Sequence, residues 1–245
     1  MAYVIIGASG GLGRALADRL AADGHRLILV ARDQGALDAL AGVLRDRHGM
    51  EATCVTADVG AGPDYLDKIL AVTQGTGGLK GLLMPIGLAL RDGLGTEPAT
   101  IRELAGANFL GAAEAVTKLW PALMEGGGTV VGFGSITAAR GRSRNFVYGA
   151  MKRALLSYFE SLRLAARDTP VKVQFWVLGF LDTGVMAAEK TPLPKGDPKR
   201  LADRVVDGLG RDRGLTYFPG WWRWITLALR LMPWSIYARL AGRGE

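Results

Sequence analysis

The chain has 245 residues, 49% hydrophobic and 22% charged, enough apolar material to bury the core of one large α/β domain. One cysteine, Cys54, leaves no disulfide framework and fits a reducing cytoplasm. The two histidines, His25 and His48, stand at no metal-ligand spacing, so no metal is expected. The formal net charge of +7 is dispersed among acidic residues without a base-stacking run or a basic recognition helix, which argues against nucleic acid as a partner.

From the N-terminus the chain enters an apolar run, Tyr3 to Ile6, with no basic segment and no cleavage site before a glycine cluster, so no export signal is expected. Further short apolar runs follow at Leu27 to Ala31, Ala52 to Thr56, Gly81 to Ile86, Thr129 to Phe133, Val171 to Val177 and Thr216 to Phe218. Between them, helical spacing is read at Gly13 to Ala22, Gln34 to Arg47, Ala99 to Met124, Asn145 to Ala166 and Pro198 to Leu209. Strands alternating with helices predict a doubly wound α/β fold, a parallel seven-stranded sheet of Rossmann-like kind, in a single domain over residues 1–220. Residues 184–198 hold three prolines and two glycines, cannot sustain a helix, and are read as a loop and candidate lid over a substrate. Residues 221–245 form a Trp-rich extension.

The first run leads into Ile6-Gly7-Ala8-Ser9-Gly10-Gly11-Leu12-Gly13, a turn that opens a helix. Gly7, Gly11 and Gly13 permit a tight turn and close approach, and the amides from Ser9 to Gly13, with the helix dipole, suit a pyrophosphate. Arg14 and Ala15 stand where an ATP-binding loop needs Lys and Ser or Thr. Arg32 ends the second strand, where enzymes using NAD commonly place an acid. Its guanidinium can fork onto a 2′-phosphate, which favours NADP(H), while neighbouring Asp33 leaves ribose recognition open.

Tyr148 and Lys152 lie four residues apart on a predicted helix and so share a face. A nearby cation favours the phenolate, which makes Tyr148 a candidate acid/base. Ser135 follows the fifth strand, at the carboxyl edge where open α/β sheets bind ligands, and can hydrogen-bond a substrate carbonyl. Asn108, set among apolar neighbours in the long helix, needs partners for its amide and is either structural or a bridge toward Lys152.

With these residues the chain resembles the short-chain dehydrogenase/reductase family from residue 3 to about residue 186. The glycine turn matches at Gly7, Gly11 and Gly13, an acid after the third strand at Asp58-Val59, and the catalytic tetrad at Asn108, Ser135, Tyr148 and Lys152. The resemblance implies an oxidoreductase, NADP(H)-dependent by the reading of Arg32, that acts on a small-molecule carbonyl or secondary alcohol, and a homo-oligomer. It implies that Asp58 binds the adenine, Lys152 the nicotinamide ribose, and Thr183 the carboxamide or pyrophosphate. Ser9, Leu12, Val59 and Gly87 complete the expected cofactor set.

Two positions depart from the family pattern. Met84-Pro85-Ile86-Gly87 stands where Asn-Asn-Ala-Gly is usual, and Leu178 replaces a proline before Gly179. A cofactor-binding or sensing protein without turnover is therefore the competing class. Arg140, Arg142 and Arg144, near the expected active-site mouth, suggest an anionic substrate or else a solvated loop. Residues 221–241 combine Trp, Leu and Arg on helical spacing. They suit a helix lying in a membrane interface, with a hydrophobic or lipid-linked substrate, or equally a cover for an apolar protein surface.

Overall fold

Strands buried on both faces demand helices on both sides, and the chain supplies them. The computed structural model describes residues 1–90, 92–183, 191 and 193–241. The strands are β1 (Ala2–Ile6), β2 (Arg26–Ala31), β3 (Ala52–Thr56), β4 (Leu79–Met84), β5 (Thr129–Ser135), β6 (Lys172–Leu178) and β7 (Gly214–Phe218). They form one seven-stranded sheet in the order β3-β2-β1-β4-β5-β6-β7, parallel throughout. Ile5 is in register with Leu29 on one side and Leu83 on the other. Between β1 and β4 the winding reverses, and the crevice at their carboxyl ends is where such sheets bind ligands.

The helices are α1 (Gly11–Ala22), α2 (Gln34–His48), α3 (Tyr65–Gly75), α4 (Pro98–Ala105), α5 (Gly111–Gly126), α6 (Phe146–Ala165), α7 (Pro198–Val206), α8 (Trp222–Leu231) and α9 (Trp234–Ala241). Alternate residues of each strand feed two cores. Val4, Ile6, Leu82 and Val130 pack with Leu119 of α5 and Phe159 of α6. Tyr3, Ile5, Leu83 and Val131 pack with Leu16 and Leu20 of α1 and Leu201 of α7.

Several boundaries differ from those read in the sequence. The fourth strand stops at Met84 because Pro85 has no amide to continue the ladder. The expected helix Ala99 to Met124 is two helices, α4 and α5, joined by a π-helical turn at Gly106–Leu110. Helix α3 was not anticipated. The candidate lid falls largely on residues outside those described. Its far end is pinned: Gly196 pairs with Leu181, its amide donates to Phe180 O at 2.7 Å, and Asp197 caps α7.

The C-terminal extension joins the same core. Trp222 is buried in it and lies against Gly179, where a Cβ would collide with the indole. Arg140, which follows a 3₁₀ turn at Ile136–Ala139, fastens the rest. Its Nη1 donates to Leu229 O at 2.6 Å and to Met232 O, the open carbonyls at the end of α8. The guanidinium also stacks on Tyr237, 4.4 Å from the ring centre.

Candidate active site

The turn from β1 to α1 is held by Gly7 N and Ala8 N donating to Val30 O at 2.8 and 3.0 Å. Gly7 adopts φ +94, a conformation that favours glycine. A Cβ on Gly13 would strike Gly7 O, and one on Gly11 would meet Thr183 at 2.7 Å. Thr183 therefore sits beside the glycine turn. No side chain caps α1 and no acid stands in its first turn, which leaves the helix N-terminus, with Ser9 and Leu12, open to an anion.

At the end of β2, Arg32 is exposed. Asp33 Oδ1 accepts from Ala36 N at 3.0 Å and caps α2, so the acid at this edge already has a structural task. Asp58 and Val59 lie past the end of β3. Asp58 Oδ1 accepts from Gly60 N at 3.0 Å, and Val59 O faces Gly111 so closely that a Cβ there would not fit.

Four side chains converge at the carboxyl ends of β4 and β5. Ser135, the last residue of β5, accepts from Thr137 N at 3.2 Å, and its hydroxyl acts on the phenol of Tyr148. Burial pushes the Tyr148 phenol up, and the Ser135 hydroxyl opposes that shift. One turn along α6, the Lys152 ammonium stands 5.9 Å from the Tyr148 ring centre. Only 3% exposed, it donates to Ile86 O at 3.0 Å and Phe133 O at 3.3 Å. Two of its three N–H groups are thereby used, and the third makes no hydrogen bond among the described residues. Burial lowers its pKa from 10.5 to about 8.

Asn108 sits in the π-helical turn, a distortion frequent at functional sites. Its amide clamps Leu88, accepting from the backbone N at 3.1 Å and donating to the O at 2.9 Å, and also donates to Leu104 O at 2.9 Å. Gly87 lies under both groups: a Cβ there would come 3.2 Å from Lys152 Nζ and 3.4 Å from Asn108 Oδ1. The Met84-Pro85-Ile86-Gly87 segment thus holds Lys152 through a backbone carbonyl, which does not depend on the side chains that depart from the family pattern.

One residue here escaped sequence reasoning. Asp92 is buried and caps α6 from a distant loop, accepting from Val147 N at 2.7 Å and Tyr148 N at 3.1 Å. Its own carbonyl accepts from Asn145 N at 2.8 Å, and Asn145 takes the left-handed conformation, φ 62. That asparagine, unable to cap its own helix, was the available sequence signal. Arg140, expected near a substrate, is instead committed to the C-terminal helices.

This geometry offers a phenol, a hydroxyl and an ammonium beside a glycine turn at the uncapped N-terminus of α1. A family model described as short chain dehydrogenase matches residues 2–193. An uncharacterized oxidoreductase of Streptomyces coelicolor is 30% identical over 249 residues, 97% of this chain and 94% of that one. Another, from Myxococcus xanthus, is 31% identical over 196 residues, 78% and 76% of the two chains. The solved short-chain dehydrogenase from Sphingobium yanoikuyae in complex with NADPH superposes with TM-score 0.79 at 26% identity, covering 99% of this chain and 93% of that one. A 7beta-hydroxysteroid dehydrogenase shares the fold, with TM-score 0.83 at 20% identity over 98% and 96% of the two chains. The chain therefore belongs to the short-chain dehydrogenase family of oxidoreductases.

Proposed function

We propose that the chain is an NADP(H)-dependent carbonyl reductase or alcohol dehydrogenase. The observation that carries the reading is the convergence of Ser135 and Tyr148, with the buried Lys152 ammonium 5.9 Å from the Tyr148 ring centre on the same face of α6. Nicotinamide, when bound, supplies or accepts the hydride. Gly7, Ser9, Gly11, Leu12, Gly13, Val59 and Thr183 bind the dinucleotide, Asp58 its adenine, and the third N–H of Lys152 a ribose hydroxyl near Gly87. Arg32 takes the 2′-phosphate, a role supported by the engagement of Asp33 in capping α2.

In the reducing direction Tyr148 gives its proton to the substrate oxygen as negative charge develops there. Ser135 donates a hydrogen bond to the same oxygen. The Lys152 charge favours the phenolate that remains, and Asn108 keeps the backbone around Gly87 and Leu88 in place. The raised pKa of the buried phenol keeps it protonated and suited to act as the acid.

The substrate we infer is a hydrophobic or lipid-linked carbonyl or alcohol, reached near residues 221–241. Trp224, Leu227, Leu231, Trp234, Ile236 and Leu240 are exposed there, alongside Arg223, Arg230 and Arg239, a combination that suits peripheral contact with a membrane. No helix among the described residues is long and apolar enough to cross a membrane. We further infer a cytoplasmic homo-oligomer, with residues 1–220 as the catalytic unit.

The side chains of Met84, Pro85 and Ile86 favour a second reading, cofactor binding without turnover. A panel of ketones and aldehydes assayed with NADPH and with NADH tests both. NADPH-dependent reduction supports the enzyme, NADPH binding without turnover supports the second reading, and preference for NADH overturns the role of Arg32.

A further inference from the structure

We propose that the chain carries a second binding site, a cavity between α6 and the C-terminal helices that takes the phosphate or carboxylate head of an amphiphilic anion. The cavity has a volume of about 1100 Å³ and is lined by Arg140, Arg142, Arg153 and Arg230, with no aspartate or glutamate among the described residues of its walls. Tyr148 and Lys152 do not line it. The wall that α6 contributes includes Phe146, Gly149 and Arg153, on the side of the helix turned away from the catalytic pair.

Among the described residues the positive charge is not neutralised. Among the described residues Arg153 donates only to the backbone carbonyls of Ala138 and Ala139, at 3.1 and 3.3 Å, and Arg140 to those of Leu229 and Met232. The side chains of Arg142 and Arg230 make no hydrogen bond or ion pair among the described residues. Carbonyl dipoles satisfy donor geometry but leave net charge, and a concave wall of one sign concentrates the field. Guanidinium forks match phosphate and carboxylate oxygens.

The volume greatly exceeds a bare anion and reaches the range of sites for drug-sized ligands. Phe146 and Trp234 provide apolar wall. From there the exposed Leu231, Trp234 and Ile236 continue the apolar surface outward. The chemistry is that of a charged head with an apolar tail, whether free in solution or standing in a bilayer.

Titration calorimetry of the full chain with octyl phosphate, octanol and inorganic phosphate tests the site. Octyl phosphate is expected to bind saturably and more tightly than either half alone. The substitution pair Arg142→Gln and Arg230→Gln, which breaks no side-chain bond among the described residues, is expected to weaken it by about tenfold or more, with melting temperature confirming the fold. Flotation with phosphatidic acid vesicles, compared with phosphatidylcholine vesicles, separates the sources. Flotation lost in the double variant assigns the head group to a membrane lipid, and octyl phosphate binding without flotation assigns it to a free amphiphile. Absence of saturable binding, an isotherm matched by octanol or inorganic phosphate, or one unchanged in the double variant overturns the proposal.

Discussion

Asp92 holds Tyr148 by the backbone: its carboxylate accepts from the Tyr148 amide at 3.1 Å and from that of Val147 at 2.7 Å, so a loop residue fixes the start of the helix that carries the phenol and the ammonium. Asp92→Ala removes this cap at a cost of about 0.5–2 kcal/mol and loosens the position of Tyr148. Turnover is expected to fall about ten- to a hundredfold, with KM for NADPH changing less. Asp92→Asn, which keeps one acceptor oxygen, is expected to recover part of the loss. Steady-state kinetics of both variants check this, and equal activity of wild type and Asp92→Ala refutes it.

Lys152 gives a pH signature. In the cofactor-free protein its pKa lies near 8, and the ammonium is the form that donates to a ribose hydroxyl. Below pH 8 the proton is already present and NADPH affinity is flat. Above it, binding must take up a proton, so Kd rises toward about tenfold per pH unit. Lys152→Met is expected to bind more weakly at every pH and without this slope. The same shift bears on stability with a definite sign. Between about pH 8 and 10.5 the unfolded chain keeps a proton that the folded chain has released, so this group's contribution to stability improves as pH rises through that window.

The Arg140 contacts concern the fold. Arg140→Ala frees the carbonyls of Leu229 and Met232 and removes the cation from the faces of Tyr237 and Trp234. A loss of about 1–3 kcal/mol is expected, which lowers Tm by about 2–10 °C in a chain of this size. Thermal denaturation measures it, and an unchanged Tm refutes the fastening role.

Residues close in sequence made much of this legible. The alternation of strand and helix predicted the sheet, the glycines predicted the turn against α1, and Tyr148 with Lys152 predicted one face of α6. Relationships across long separations were not legible. Asp92 caps a helix 55 residues away, and nothing in its own surroundings indicates that. Arg140 resembled a substrate anchor until its partners 89 and 92 residues downstream were known. The π-helical turn at Gly106–Leu110 has no period of its own. It is paired with the Asn108 clamp on Leu88, a tertiary contact.

The central claim is that Tyr148 moves the proton. The most direct measurement is NADPH oxidation in the presence of an accepted carbonyl, comparing wild type with Tyr148→Phe while NADPH binding is followed separately. The account predicts that kcat/KM falls by about 10²–10⁴ while cofactor binding is retained. Turnover by Tyr148→Phe at the wild-type rate would contradict it.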